Sequence, residues 1–134
     1  MFTLHVLRNV FVLLVPTEVR PSAIQGLGLF TLKGLRKGQM LWRFVPGVDL
    51  QIPEGTVRKL PPAARSFFKT YCALENGVFH LDADNTRFMN HSTEPNVLTS
   101  LGTAPMFAAR DIKAGEELFC DYTDFDDPAR NGVI

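Results

Sequence analysis

Residues 87–96, Arg-Phe-Met-Asn-His-Ser-Thr-Glu-Pro-Asn, constrain this chain more than any other stretch. The segment combines side chains that form several hydrogen bonds at once with Phe88 and Met89, which favour burial. Polar groups that are buried in proteins are nearly always paired by hydrogen bonds. The segment therefore predicts a polar site folded into the protein, in which Asn90 and His91 bind a ligand.

Composition limits the chain to one domain and excludes a strongly charged surface. With 134 residues, of which 46% are hydrophobic, there is room for a single core. Lys and Arg together number 14, and so do Asp and Glu together. The chain therefore has no net positive charge that would favour binding to nucleic acid. We therefore expect no direct contact with nucleic acid, and any charged partner must meet a local patch.

The cysteines and the first residues indicate where in the cell the protein is found. Cys72 and Cys120 are too few for a disulfide framework and form no Cys-x-x-Cys pair, which favours a reducing compartment and no structural metal. Residues 1–15 are apolar but interrupted by His5 and Arg8, and are shorter than the roughly 20 residues of a membrane span. No Ala-x-Ala cleavage site follows them. We expect a cytoplasmic protein, or a nuclear one in a eukaryote, that does not contact a membrane.

The hydrophobic pattern predicts a mostly β fold with one helical insert. The insert begins near Thr56, is broken at Pro61, and continues as a helix from Ala63 to Leu74, with aromatic residues at three- and four-residue spacings. Elsewhere, short apolar runs alternate with turns, as in all-β domains. The predicted strands are residues 10–15, 29–32, 39–45, 78–81, 97–101 and 105–109.

Two shorter patterns are open to more than one interpretation. Gly26-Leu27-Gly28 permits close approach of a ligand to the backbone, yet a turn or bulge between strands is the simpler explanation. The third glycine and the following helix of a dinucleotide motif are missing. His80, Asp82 and His91 have the residue types of a facial-triad iron site. The alternative is that each histidine is simply hydrogen-bonded.

Four segments, taken in order, resemble the SET-domain protein lysine methyltransferases. They are Gly26-Leu27-Gly28-Leu29-Phe30, Tyr71, residues 87–96, and Gly115-Glu116-Glu117-Leu118-Phe119-Cys120-Asp121-Tyr122. Asn-His-Ser with a following Pro-Asn, and then Glu-Leu-x-x-Asp-Tyr, are the specific parts. The resemblance predicts a SET domain over residues 14–125, an N-terminal extension with the first strand over 1–13, and a C-terminal tail over 126–134.

The resemblance implies a SET fold of small curved sheets with a knot-like crossing of the two C-terminal motifs, to which residues 92–96 contribute. It implies S-adenosylmethionine on one face, a substrate protein's lysine on the other, and a narrow channel between them. The glycine segment would hold the methionine part of the cofactor, and Asn90 and His91 the adenosine. The implied cofactor-binding residues are Gly26, Leu27, Gly28, Tyr71, Arg87, Phe88, Asn90 and His91.

The same resemblance makes Tyr122 the catalytic residue, which orients the amine and the methyl group with a neutral phenol. Methyl transfer to an amine is an in-line displacement, so alignment and removal of water lower the barrier by several kcal/mol. The lysine must first lose its proton, which an apolar channel and a nearby sulfonium both favour. The channel is expected to include Cys120 and Phe125.

Two departures from the family pattern affect the channel. Residues 123–134 contain no cysteine, so the zinc segment that completes the channel in some members is missing there. Phe125, a partner, or a second copy of the chain in a homodimer are the alternatives for closing it. Cys120 stands where the family often has Phe or Tyr, so the extra room permits di- or trimethylation, unless Cys120 serves packing alone.

The leading hypothesis is thus a protein-lysine N-methyltransferase. The alternative is a catalytically silent SET-like module that binds a peptide or the cofactor. Substrate choice is assigned to the region between Phe44 and Asn76, above all to residues 46–62.

Overall fold

Short strands grouped into three small sheets dominate the computed structural model, which describes residues 13–99 and 104–124. Two short α-helices and two 3-10 turns complete the described part. The elements are β1 (Thr17–Pro21), β2 (Leu27–Thr31), β3 (Met40–Trp42), β4 (Leu50–Pro53), α1 (Glu54–Arg58), α2 (Pro62–Tyr71), β5 (Ala73–Glu75), β6 (Val78–Leu81), η1 (Asn85–Phe88), β7 (Asn90–His91), β8 (Val97–Leu98), β9 (Met106–Ala108), β10 (Glu117–Cys120) and η2 (Tyr122–Asp124).

The sheet that carries both dense motifs has the strand order β1-β2-β10-β7. β10 runs antiparallel to β2, with Leu118 opposite Leu29, and parallel to β7, with Phe119 opposite Asn90. The other two sheets have the orders β3-β9-β8 and β4-β6-β5. Because β10 lies between β2 and β7, the glycine segment and the Asn-His segment are held against the same strand.

The mostly β prediction is confirmed, although several strands are shorter than predicted. The strand expected over 39–45 ends at Trp42, since the chain turns at Pro46 and Gly47, where Gly47 has a φ of 86°. Of the strand expected over 10–15, only 13–15 lie within the described residues. They form a single bridge between Leu13 and Trp42 rather than a strand.

The helical insert consists of two helices, and the predicted break at Pro61 is confirmed. α2 begins at Pro62, where a missing N–H is tolerated, and Pro61 separates it from α1. The prediction that the helix reaches Leu74 is wrong, because Cys72 is extended (φ −115°, ψ 142°) and Ala73–Glu75 pair with β6 as β5. Sheet pairing overrides the helical spacing of the last residues.

Two hydrophobic cores support these layers. The larger lies under the β1-β2-β10-β7 and β3-β9-β8 sheets and includes Leu29, Leu41, Trp42, Met89, Val97, Ile112, Leu118 and Cys120. The smaller, of Val57, Cys72, Leu74 and Phe79, joins the insert to β6. Among the described residues, no helix is long and apolar enough to cross a membrane.

Candidate active site between β2, β7 and β10

The side-chain amide of Asn90 ties the glycine segment to β10. Its Nδ2 lies 3.1 Å from the Gln25 carbonyl oxygen, 3.0 Å from that of Leu27, and 3.0 Å from Glu117 Oε1. An amide group has two protons, so the three acceptors share them. The backbone at Gln25 and Leu27 is thereby fixed relative to the start of β10.

Glu117 secures the same loop from the other side. Its Oε2 accepts a hydrogen bond of 2.9 Å from the Ser22 hydroxyl, and that oxygen of Ser22 accepts from the Ile24 amide at 3.0 Å. Gly28 is buried, and a Cβ placed there would overlap Glu117 Oε1, so the carboxylate fits only because the residue is glycine. We call Ser22, Gly28, Asn90 and Glu117 the polar clamp.

His91 connects the clamp to Tyr122. Its Nδ1 accepts a hydrogen bond of 3.0 Å from the Tyr122 amide, and the two rings lie 5.3 Å apart. Because Nδ1 acts as an acceptor it carries no proton, so its 3.7 Å separation from Asp121 Oδ1 is not an ion pair. The pKa of Asp121 is lowered by hydrogen bonds from the Thr123 hydroxyl and amide. In this tautomer the proton of the imidazole is on Nε2.

The Tyr122 phenol is fixed by a hydrogen bond of 2.7 Å that it donates to the Met89 carbonyl oxygen. A phenol that donates in this way is neutral, as expected for a group that orients rather than removes a proton. The side chain is half-buried at the start of η2, two residues after β10. The hydroxyl is therefore held against the segment that leads into Asn90.

Asn96 joins the two dense motifs through both ends of its amide. Its Nδ2 donates to the Glu117 carbonyl oxygen and its Oδ1 accepts from the Phe119 amide, each at 2.8 Å. The residue is 2% exposed, so both bonds are shielded from water. For Asn96 this confirms the structural duty predicted for residues 92–96 and explains how a polar segment is accommodated next to the core.

A cavity lies between this sheet and the insert, with Tyr122 in its wall. Four of the predicted site residues line it, namely Tyr71, Arg87, Cys120 and Tyr122. Its apolar lining residues include Trp42, Phe44, Met89 and Met106. Its lining residues do not include the predicted residues of the glycine segment, Phe88, Asn90 and His91. The predicted site residues therefore form two groups, which are joined at Tyr122 because its amide bonds His91.

The cavity also has polar walls that sequence reasoning missed. Asp82, directly after β6, lines it and accepts no hydrogen bond from the described residues, whereas Asp49 accepts from the Val45 and Ala83 amides at 3.2 Å. Burial raises the pKa of Asp82 to about 7, with a further contribution from the charges of Asp49 and Asp84. Trp42 Nε1 is buried and has no hydrogen-bond partner in the part of the chain that the structure describes.

The chain matches the SET-domain family model over residues 26–123. The chain belongs to the SET-domain family. Over 110 residues, 75% of the chain, it is 32% identical to the histone-lysine N-methyltransferase ASHH2 of Arabidopsis thaliana. Over 119 residues it is 30% identical to the histone-lysine N-methyltransferase trr of Drosophila melanogaster. The SET domain described here spans 6% and 4% of those two proteins, respectively.

Solved structures with the same fold include the Polycomb Repressive Complex 2 of Chaetomium thermophilum, in an autoinhibited conformation bound to S-adenosylmethionine. Its TM-score is 0.67 at 23% identity, over 88% of this chain and 16% of the other. A putative histone methyltransferase of Plasmodium falciparum has a TM-score of 0.57 at 20% identity, over 79% of this chain and 91% of the other. At these identities the likeness establishes the SET fold.

Of the remaining predicted residues of this SET domain, Tyr71 and Arg87 both lie against the Phe88 ring. Tyr71 ends α2 and contacts the Phe67 ring at 5.1 Å and the Phe88 ring at 5.8 Å. The Arg87 guanidinium lies 4.9 Å from the centre of the Phe88 ring. Phe125 lies outside the described residues. The role of each predicted residue in binding stays a prediction.

His80 and Asp82 line the cavity, whereas His91 does not. Among the residues that the structure describes, no three His, Cys, Asp or Glu side chains are grouped so that they could hold a metal ion. The facial-triad interpretation of His80, Asp82 and His91 therefore finds no support in the geometry.

Glu117 and Ser22 are functional candidates that sequence reasoning missed, and the place of Asp82 in the cavity is a third feature that it missed, since the sequence suggests Asp82 only as a metal ligand. In the sequence, Glu117 is simply the first residue of the Glu-Leu-x-x-Asp-Tyr motif. A signal for it was available, because a carboxylate at the start of a buried strand needs a polar partner. For Ser22 and Asp82 the sequence offers no comparable signal, since the groups around them come from distant segments of the chain.

Proposed function

We propose that this SET domain transfers a methyl group from S-adenosylmethionine to a lysine side chain of a protein. The observation that carries the proposal is the position of Tyr122. Its amide is bonded to His91, next to the polar clamp, while its phenol is fixed at Met89 in the wall of the cavity. One residue thus connects a compartment suited to a cofactor with a compartment suited to a side chain.

The clamp fits the polar groups of S-adenosylmethionine. With Asn90 Nδ2 directed at the glycine segment and Glu117, Asn90 Oδ1 is left as an acceptor for an ammonium group. His91 Nε2–H is left as a donor, since Nδ1 is taken by the Tyr122 amide. These contacts favour His91 towards the adenosine, as predicted, but Asn90 beside the methionine part of the cofactor rather than the adenosine.

S-adenosylmethionine supplies a methyl group on a sulfonium, and its transfer to an amine requires no acid. The chain's residues therefore align the amine and exclude water, which is worth several kcal/mol when reacting atoms are held about 3 to 3.5 Å apart. The Tyr122 phenol orients the amine as a neutral group. Met89, Met106 and Cys120 provide an apolar wall that disfavours a charged ammonium.

The cavity suits a lysine from a basic protein segment. Asp49 and Glu75, together with Asp82 when it is ionised, outnumber Arg87 among its charged lining residues, so a cationic side chain is attracted to the cavity before it loses its proton. Cys120 is 3% exposed and packs in the larger core, and its small side chain leaves more room near Tyr122 than Phe or Tyr would. We propose that this room permits a second and a third methylation.

Methyl transfer from labelled S-adenosylmethionine to basic proteins tests the proposal. We expect Tyr122→Phe to lower the transfer rate at least roughly 100-fold, because the orienting hydroxyl is lost, while the cofactor Kd stays within about threefold. Tyr71→Phe is the matched control in the same cavity wall, and we expect it to lower the rate less than about tenfold, because its hydroxyl is not held in place as that of Tyr122 is. Cofactor binding without transfer in either protein would favour the silent module.

A further inference from the structure

We propose that Glu117 is a positioning residue for the ammonium group of the cofactor, because it fixes the orientation of the Asn90 amide. This inference rests on the proposed function and extends it to a residue that does not itself touch the cofactor. Glu117 lies in β10 and is half-buried. Its Oε1 accepts a hydrogen bond from Asn90 Nδ2, and its Oε2 accepts one from the Ser22 hydroxyl.

The orientation of the Asn90 amide is determined by its neighbours. All three groups within hydrogen-bond distance of one end of the amide are acceptors: two backbone carbonyls and Glu117 Oε1. An amide oxygen at that end would face three oxygens and form no hydrogen bond. The NH2 group must therefore be there, and Oδ1 must be at the opposite end.

Glu117 contributes the strongest of these three constraints. A carboxylate accepts hydrogen bonds but has no proton to donate, and bonds to a charged group are about twice as strong as those between neutral groups. The Ser22 hydroxyl holds Oε2 at 2.9 Å, so the carboxylate cannot turn away from Asn90 without losing that bond. Gly28 leaves the space that the carboxylate occupies.

The free end of the amide suits a cation. Asn90 is half-buried, and no described residue donates to its Oδ1. The Glu117 carboxylate and the carbonyls of Gln25 and Leu27 make the surroundings negative. An ammonium group is favoured there, whereas a carboxylate or phosphate is disfavoured.

A glutamine at position 117 weakens the constraint with little change in shape. Its amide can present NH2 to Asn90 in place of an acceptor, so only the carbonyls of Gln25 and Leu27 still hold the Asn90 amide, and the turned orientation, with NH2 towards the ligand, becomes more populated. Ligands with an ammonium group then lose affinity, whereas ligands without one do not. A merely structural role of Glu117 predicts equal losses for both.

The test compares two ligands with folded wild type, Glu117→Gln and Glu116→Gln by calorimetry. S-adenosylhomocysteine has the ammonium group and 5′-methylthioadenosine lacks the whole amino acid part. We expect Glu117→Gln to raise the Kd of S-adenosylhomocysteine about tenfold and to change that of 5′-methylthioadenosine less than about twofold. Glu116 is the matched control, because its carboxylate bonds the Lys113 amide and Arg110 in the neighbouring turn.

The outcomes separate this inference from the proposed function. Equal losses for both ligands, or an S-adenosylhomocysteine Kd that matches that of Glu116→Gln, would overturn the role of Glu117 while methyl transfer by the wild type stands. Wild type that binds S-adenosylhomocysteine without transferring methyl groups would overturn the proposed function alone. Failure of the wild type to bind S-adenosylhomocysteine would overturn both.

Ser22→Ala keeps the test valid if Glu117→Gln does not fold. The substitution removes the hydrogen bond to Glu117 Oε2 and leaves the carboxylate in place. We expect roughly a two- to fivefold increase in the Kd of S-adenosylhomocysteine, again without a matching change for 5′-methylthioadenosine. No selective effect in this variant would contradict the inference.

Discussion

The polar clamp and the cavity lie next to each other and differ in whether their polar groups are paired by hydrogen bonds. In the clamp, Asn90 Nδ2 and both Glu117 carboxylate oxygens have partners within 3.1 Å. In the cavity, Asp82 accepts no hydrogen bond from the described residues, and the buried Trp42 Nε1 has no partner among them. The hydrogen bonds of the clamp are thus formed within the chain itself, whereas the cavity has polar groups that the described residues do not pair.

This difference implies that the clamp contributes binding affinity and the cavity contributes discrimination between substrates. A site with its hydrogen bonds already made loses little entropy when a ligand binds, which favours affinity for a ligand common to all reactions. Unpaired groups in a cavity instead discriminate between side chains, because a wrong partner leaves them unsatisfied. The following three substitutions test the contrast.

Removal of Asn96 should have the largest effect, since it detaches the end of the 87–96 segment from β10. Asn96→Ala leaves the Glu117 carbonyl and the Phe119 amide unpaired in a buried setting, and we expect a loss of about 3 kcal/mol in the free energy of unfolding. Urea unfolding measures it. Asn85→Ala, at an exposed position in η1, is the control and should change stability by less than about 0.5 kcal/mol.

An alanine at position 28 should break the clamp without touching the cavity. The added Cβ displaces Glu117 from Asn90 and Ser22, so we expect the Kd of S-adenosylmethionine to rise about 100-fold, or about 2.7 kcal/mol. Gly34→Ala is the control, because its Cβ would lie 3.6 Å from the Ile112 carbonyl oxygen, an ordinary contact. Calorimetry that finds the same Kd for both variants would show that Gly28 does not serve the clamp.

The smallest effect is expected in the cavity, from Asp82→Asn. The pKa of Asp82 rises from 3.8 to about 7 on folding, so the folded protein holds a proton that the unfolded chain has lost between these values. Stability contributed by this group is present below about pH 4 and is lost as the pH rises to about 7. The substitution should therefore stabilise the protein at about pH 8 relative to pH 4.

We expect about 1 kcal/mol for that difference, below the limit of about 4 kcal/mol that the full pKa change implies, because Asp82 is partly exposed. Thermal unfolding of wild type and variant across this pH range measures it. Glu94→Gln changes an exposed carboxylate and is the control. A stabilisation that is independent of pH would contradict the assignment.

Site residues within contiguous motifs are predictable from the sequence, whereas contacts between distant segments are not. Asn90, His91 and Gly28 lie in short motifs, so local residue types already indicate a shared polar site, but Ser22 and Glu117 join it only through contacts between distant segments. The cavity is assembled from β6, α2, β9 and β10, and the place of Asp82 in it depends on how the insert packs. The end of α2 was mispredicted for the same reason, since pairing of Ala73–Glu75 with β6 decides it.

The most direct test of the central claim is the binding of S-adenosylmethionine to the protein alone, with no protein substrate present. Because the hydrogen bonds of the clamp are formed within the chain itself, we predict saturable binding at one site per chain by calorimetry, reduced at least about tenfold by Asn90→Ala and unchanged within about threefold by Tyr122→Phe. Binding that requires a protein substrate, or that Tyr122→Phe weakens as much as Asn90→Ala does, would contradict the account.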